Sequence, residues 1–567
     1  MPVSARAPRV AGVEDQGMFS QGFPVNPGKS SDFFDHTGTV PPDPNRTRSV
    51  GHEGPLHEKR SDPQIEVNEH QGQPEGLGTN RQDCLRTHST EEGGEPQGSG
   101  ERAATVSTGG KGGTAERIGS VTLARGAELA RPSQTPLSRL TELAQEDRRG
   151  KFSSIAHLLT PQALHEAFGS LRKDAGAGVD EVTYQDYEKQ ASEKIQILWG
   201  KLKSKQYRAQ PLRRIYIPKE DGKLRAISIP SLEDKIVQKA TVRLLQAIFE
   251  VDFLSCSYGS RPGRNPHQAL DEIDRIIFRE SISHVLELDI TSYFDAIVRK
   301  HLMEMVEQRI SDSSILRLIG KWINVGVVDE GRLLSSEAGV GQGQVISPFL
   351  ANIYLHHVLD RWFEDEVKCR LKGKAFLVRY MDDAVICFQN AEDAQKVQEV
   401  LQKRFSNYGL TLHPQKTRLI AFGRSAQAEA ERLKTKPKTF DFLGYTHLMS
   451  RSRRGKFMVQ VKTMKKRLKR SLKAVAAWCK EHRHDPLAEQ HATLNAKLRG
   501  HYQYYGRASN YQSLWQFYRM VRRIWMKWLE RRTRGTPLSW EKYNRLLERH
   551  PLLFPRITHS FASSRSS

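Results

Sequence analysis

Lys374-Ala-Phe-Leu-Val-Arg-Tyr-Met-Asp-Asp-Ala-Val-Ile-Cys-Phe388 is the stretch whose reading decides the fold. Its two apolar runs, Ala375 to Tyr380 and Ala384 to Phe388, have the composition of short β-strands. Strands disfavour adjacent acidic residues, so Asp382 and Asp383 are predicted in the turn of a hairpin. Neighbouring carboxylates repel each other unless a cation shares them. With no Cys or His close in sequence, their hard oxygens suit Mg²⁺ better than Zn²⁺. A solvated turn would look the same in isolation, so the pair gains meaning only from a matching second site.

The match lies upstream in His284-Val-Leu-Glu-Leu-Asp-Ile-Thr-Ser-Tyr-Phe-Asp295, where a strand-like run ends at Asp289 and Phe294 follows. A carboxylate at a strand end beside a hairpin pair makes a two-metal site. Ions about 3.5–4 Å apart can activate a 3′-hydroxyl and stabilise a departing pyrophosphate. At this point the sequence resembles the palm of a reverse transcriptase. The order of its other blocks resembles the reverse transcriptase and maturase encoded within bacterial group II introns. That resemblance implies an α+β right-hand polymerase, with fingers and palm on antiparallel sheet, followed by an all-α thumb and maturase domain. It implies Asp289, Asp382 and Asp383 as catalytic residues and, with Ile290, as metal ligands. Two Mg²⁺ ions are implied as cofactors, with Mn²⁺ as a substitute.

The other blocks follow in order. Thr160-Pro161 caps a helix carrying Leu164, Phe168 and Leu171, closed by Gly176 to Gly178, and a further helix reaches about Lys205. This pair matches the N-terminal extension of the group II intron enzymes, which retroviral enzymes lack. Arg214 to Pro230 reads as a hairpin turning at Asp221-Gly222. Alone, its Lys219 and Arg225 read as solvated charges; the resemblance makes them triphosphate ligands, a role suited to a cationic point charge and a guanidinium fork. A helix from about Leu232 to Glu250 precedes Ser257 to Arg264, whose Arg261 and Arg264 the family places near template or primer.

Gly339-Val-Gly-Gln-Gly-Gln344 is expected to let backbone approach a bound nucleotide, with Gln342 contacting the incoming sugar. Gly341 and Gln344 stand where the family more often has Pro and Gly. Phe294 is expected beneath the same sugar. Beyond the Asp pair, a helix from about Ala391 to Tyr408 leads to Lys416, which the family places near the leaving pyrophosphate as a general acid. Phe440 to Tyr445 matches the hairpin that grips the primer.

The charge is lopsided. Residues 451–534 hold 23 Lys and Arg against four Asp and Glu, and the whole chain of 567 residues carries +23. Such a surface wants a polyanion. Met464, Leu468, Leu472, Val475 and Cys479 recur at helical spacing, and Lys465, Lys466, Arg467, Lys469 and Arg470 crowd the remainder of that helix. With Arg499 they are the candidate RNA contacts. Trp515, Phe517, Tyr518, Trp525 and Trp528 on a later helix read mainly as core, with one or two left to stack on unpaired bases.

Residues 1–114 differ in kind. Gly and Pro supply 29 of them and neither Trp nor Tyr occurs, so a disordered, inert extension is expected. The domains are therefore read as 1–135 extension, 136–450 fingers and palm, and 451–567 basic helical domain. Five unpaired-looking cysteines suit a reducing compartment, and no run has transmembrane or secretory-signal character. The expectation is a bacterial cytoplasmic enzyme, associated with ribonucleoprotein or nucleoid, that copies intron RNA into DNA and assists splicing. Its expected partners are group II intron RNA, an RNA template with DNA primer, deoxynucleoside triphosphates and target DNA, with a second copy of the chain admitted and no membrane. The alternatives are a retron-like or diversity-generating reverse transcriptase, and an RNA-folding chaperone without polymerase activity.

Overall fold

The computed structural model describes residues 135–218, 222, 224–335, 338–452, 454–532 and 537–559, with the backbone of 120–121. The 1–114 extension and Lys219 lie outside the described residues.

The architecture is mixed α and β. At its centre is a four-stranded antiparallel sheet in the order Arg418–Ala421, His284–Leu288, Asp383–Phe388, Ala375–Tyr380. The hairpin strands Ala375–Tyr380 and Asp383–Phe388 are apolar at almost every position because both faces are buried, which removes the usual alternation. Helices Pro266–Arg279 and Ala391–Asn407 pack against this sheet. The first is held at its start by a capping box between Asn265 and Gln268.

A second sheet, ordered Leu224–Ile229, Leu212–Pro218, Val327–Asp329, Arg332–Leu334, contains the predicted hairpin. N-terminal to it stand the helix Pro161–Gly169, capped by Thr160, and two helices, Tyr184–Glu188 and Ala191–Lys203, where one was expected. The first of these three ends at Gly169, ahead of the predicted Gly176 stop.

The third sheet corrects the expected domain limit. Phe440–Phe442 and Tyr445–Arg451 turn through Leu443-Gly444, both left-handed, and pair onward with Phe457–Thr463. The boundary at 450 therefore falls inside a strand, and the C-terminal part is not all helix. Cross-strand hydrogen bonds hold these residues to the sheet. Helical structure begins at Lys465–Glu481 and continues through Leu487–Tyr505, Tyr511–Glu530 and Trp540–Arg549. These four helices bury their own apolar core around Leu494, Leu498, Phe517, Val521 and Trp525. Arg507 ties them to the helix Pro266–Arg279 through Asp271 at 2.8 Å and Asp274 at 2.7 Å. Among the described residues, no helix is long and apolar enough to cross a membrane.

Candidate active site

Register brings the three aspartates together. Leu288 pairs with Ala384 across the central sheet, so the next step along both strands sets Asp289 opposite Asp383. On the other side Asp383 pairs with Tyr380, leaving Met381 and Asp382 as a two-residue turn with Met381 left-handed at φ 57°. Asp383 is thus the first residue of its strand, one position further into the sheet than predicted, because its main chain completes the ladder. Asp289 is fixed from below by the His413 N–H, which donates to its carbonyl at 2.8 Å.

Asp382 and Asp383 each feel the charge of Asp289. Desolvation by the surrounding protein, then the charges of Asp382 and Asp289, push the carboxyl of Asp383, itself still exposed at the strand end, up to about 7. Asp382 is raised too, first by burial and then by Asp289, with Arg225 opposing the shift from the hairpin strand. Lys416 places its ammonium 2.9 Å from Asp289 Oδ2. A set made only of carboxylate oxygens fits a hard divalent ion in donor chemistry. As they stand, no three Asp, Glu, His or Cys side chains among the described residues close on one metal position, and Lys416 occupies one Asp289 oxygen. Ile290 is buried, and its side chain has no donor, so only its main chain could serve an ion.

Beneath the turn lies a buried polar network that the sequence did not reveal. Arg379 and Asp360 are each 0 % exposed and form a two-pronged pair at 2.7 and 2.6 Å. The same guanidinium donates to Asn352 Oδ1 at 2.9 Å, Ser257 Oγ at 2.8 Å and the Met381 carbonyl at 3.0 Å. Asn352 in turn donates to the Gly259 carbonyl at 2.6 Å. A Cβ on Gly259 would lie 2.5 Å from the Met381 nitrogen, so that loop is seated directly against the turn. Asp360 reaches the network from a widely wound stretch, His356–Asp360, at the end of the helix Ser347–Leu355. An Arg one residue before a Tyr in an apolar strand gave no sequence signal of this role.

Other predicted residues divide. Arg225 is exposed on its strand, and Phe294 is half-buried in the short helix Tyr293–Ala296, beside Tyr293 at 5.6 Å. Gln342 is half-exposed, and its carbonyl accepts from the Ser228 N–H at 2.7 Å, which docks its loop on the strand carrying Arg225. The glycines around it need correction. A Cβ on Gly339 would meet the Asp295 backbone at 2.9 Å and one on Gly343 the Ser228 carbonyl at 2.7 Å, so both serve approach of the protein to itself. Gln344 is buried between Gln238 and the Trp322 carbonyl, a structural role.

Arg261 is also corrected: its guanidinium is buried against Glu250 at 2.6 Å and the carbonyls of Leu254 and Ser257, which leaves nothing facing RNA. Arg264 lies half-buried over the Tyr258 ring at 5.1 Å. Lys465, Lys466, Lys469, Arg470 and Arg499 are exposed. Arg467 is half-buried, and its charge favours ionised Asp383.

Residues 217–447 match the model of a family described as reverse transcriptase (RNA-dependent DNA polymerase). The chain is 36% identical over 244 residues to Protein YkfC of Escherichia coli K12, covering 42% of this chain and 63% of that one. It is 32% identical over 230 residues to the group II intron-encoded protein LtrA of Lactococcus lactis subsp. cremoris, covering 40% and 38% respectively. An uncharacterized 91 kDa protein in the cob intron of Schizosaccharomyces pombe is 39% identical over 166 residues, 29% of this chain and 20% of its own. These matches span less than two thirds of each relative's length.

Proposed function

We propose, from the reverse transcriptase match at residues 217–447, that the chain is an RNA-directed DNA polymerase that also serves as the maturase of a group II intron. The resemblance to group II intron-encoded proteins is borne out by the relatives that carry that description. The observation that carries the polymerase reading is the register that sets Asp289 opposite Asp383, with Asp382 at the adjoining turn.

On this reading the central sheet is the palm, the second sheet and the helices before it are the fingers, and the third sheet with the C-terminal helices forms primer grip and thumb. Asp289, Asp382 and Asp383 would hold two divalent ions, Mg²⁺ or Mn²⁺ in its place, which supply activation of the primer 3′-hydroxyl and charge stabilisation on the phosphates. Arg225, with Lys219, binds the triphosphate. Lys416, whose ammonium lies 2.9 Å from Asp289 Oδ2, would donate a proton to the leaving pyrophosphate. Phe294 and Gln342 bound the sugar. Replacing Phe294 with Val or Ala is expected to raise ribonucleotide incorporation, measured as the ratio of ribo- to deoxynucleotide kcat/KM; an unchanged ratio removes Phe294 from the pocket.

Primer extension on an RNA template tests the polymerase. No DNA product from a folded, RNA-binding chain would favour the chaperone reading. A retron-like or diversity-generating enzyme would extend primers but would not promote splicing of a group II intron RNA.

The maturase part rests on the basic helix Lys465–Glu481 and on the intron-encoded relatives. Intron RNA, template and primer, deoxynucleoside triphosphates and target DNA are its partners in this proposal, and a cytoplasmic ribonucleoprotein its setting; self-association into a dimer is tested by sedimentation. Changing Lys465, Lys466 and Lys469 to Gln removes exposed cations. Intron RNA affinity should fall, and its dependence on log salt should flatten by up to about one unit per lost phosphate contact. An unaltered slope across a salt series would show that this face does not meet phosphate.

A further inference from the structure

The C-terminal helices carry an aromatic surface that the polymerase reading leaves unused. Trp515 and Tyr518 stand about one turn apart on Tyr511–Glu530, and Phe554 joins them from the segment after Trp540–Arg549. The three rings are nearly parallel. Trp515 and Tyr518 lie 5.4 Å apart at 26°, Tyr518 and Phe554 5.1 Å apart at 29°, and Trp515 and Phe554 6.4 Å apart at 17°. Tyr518 is the floor, at 4 % exposure, whereas Trp515 is 38 % and Phe554 60 % open to solvent.

Phe554 is held in this position. Leu553 on one side donates to Asn495 Oδ1 at 2.7 Å and accepts from the Tyr502 hydroxyl at 3.0 Å, and Leu552 is buried. Pro555 on the other side is buried as well. A chain anchored on both flanks with an aromatic ring turned outward forgoes burial that a Phe normally contributes to folding. The edge of the patch is cationic. Arg522 sits 5.8 Å over the Tyr518 ring and donates to Asn544, and Arg519, one turn beyond Trp515, and Arg556 are exposed. A protein partner would meet an apolar ring inside a positively charged rim. Unpaired nucleotides offer planar bases to the rings and phosphates to the rim.

We infer that Trp515 and Phe554, laid on Tyr518, form a stacking site for one or two unpaired bases of single-stranded RNA, with Arg519 and Arg522 beside the connecting phosphates. This deepens the proposed function and rests on the chain being an RNA-binding protein.

The test uses the full chain and a single-stranded RNA oligonucleotide carrying one 2-aminopurine, whose fluorescence is quenched by stacking. Trp515→Ala with Phe554→Ala should weaken binding by about 5- to 150-fold per stacked base and restore the fluorescence. The salt slope should stay as in the unsubstituted chain, because no phosphate contact is lost. Trp515→Phe with Phe554→Tyr keeps two ring faces and should retain most of the quenching, which separates stacking from general damage. Arg519→Gln should flatten the slope and leave quenching in place. Unchanged affinity and quenching in the double Ala variant, while the unsubstituted chain binds, would overturn the stacking site and leave RNA binding standing. Failure of the unsubstituted chain to bind the oligonucleotide would overturn both. A change of oligomeric state in the double variant with RNA affinity intact would assign the patch to a second copy of the chain and overturn the inference.

Discussion

Asp382→Ala is expected to lower complementary-DNA synthesis by at least about 10²- to 10³-fold, the usual consequence of removing one preorganised charge-stabilising group, while affinity for intron RNA hardly changes. Asp382 occupies the turn between two strands and makes no contribution to their ladder except through its backbone, so the fold should persist. Its loss relieves Asp383 of a neighbouring charge, one of the causes holding that carboxyl up to about 7. The basic helix that carries the maturase proposal keeps its exposed lysines. Primer extension, binding to the cognate intron RNA and splicing of that RNA are to be measured on the same preparation. If Asp382→Ala abolished splicing as fully as DNA synthesis with its folding intact, the division into two functions would be wrong.

The second large effect is on stability. Asp360→Ala leaves the Arg379 guanidinium buried without its carboxylate, and breaking a buried pair in this way costs about 3–5 kcal/mol. Burial works against the charge on Arg379, and Asp360, with smaller help from Cys256 and Tyr293, offsets it. Truncating both partners, Asp360→Leu with Arg379→Met, should cost less than the single change, because no lone charge remains. Urea unfolding checks the order of the three proteins. Activity should fall in both variants even where they are folded, since Arg379, which Asp360 holds in place, donates to the Met381 carbonyl at the aspartate turn. A double substitution as damaging to stability as Asp360→Ala would show that the loss comes from packing and not from the unpaired charge.

What was legible in the sequence is local. Thr160-Pro161 could be read as a helix start because cap and proline act within one turn, and the helix begins at Pro161. The hairpin around Asp382 could be read because strand composition and acidic turn residues lie within fifteen positions. The basic character of the C-terminal part needs only counting. The strand-like run ending at Asp289 offered a partner for the pair, and the resemblance added the order of the remaining blocks.

The limits appear where a residue's partner is remote. Arg261 and Arg264 look alike in sequence, yet only Arg261 meets a carboxylate inside the protein, and a buried guanidinium is retained only where such a partner compensates its desolvation. Gly339 was read as room for a ligand, whereas the backbone of Asp295 fills that space. The limit at 450 failed because Phe457–Thr463 pairs with a strand before it, a preference that arises from cross-strand bonding and not from composition. By itself the sequence determined the acidic hairpin turn, the helix starts and the distribution of charge, since each depends on neighbours along the chain. The tertiary structure alone decided that Asp289 stands opposite Asp383, that Asp360 supports Arg379 and that Phe554 lies on Tyr518, because such pairings depend on which distant groups are buried together.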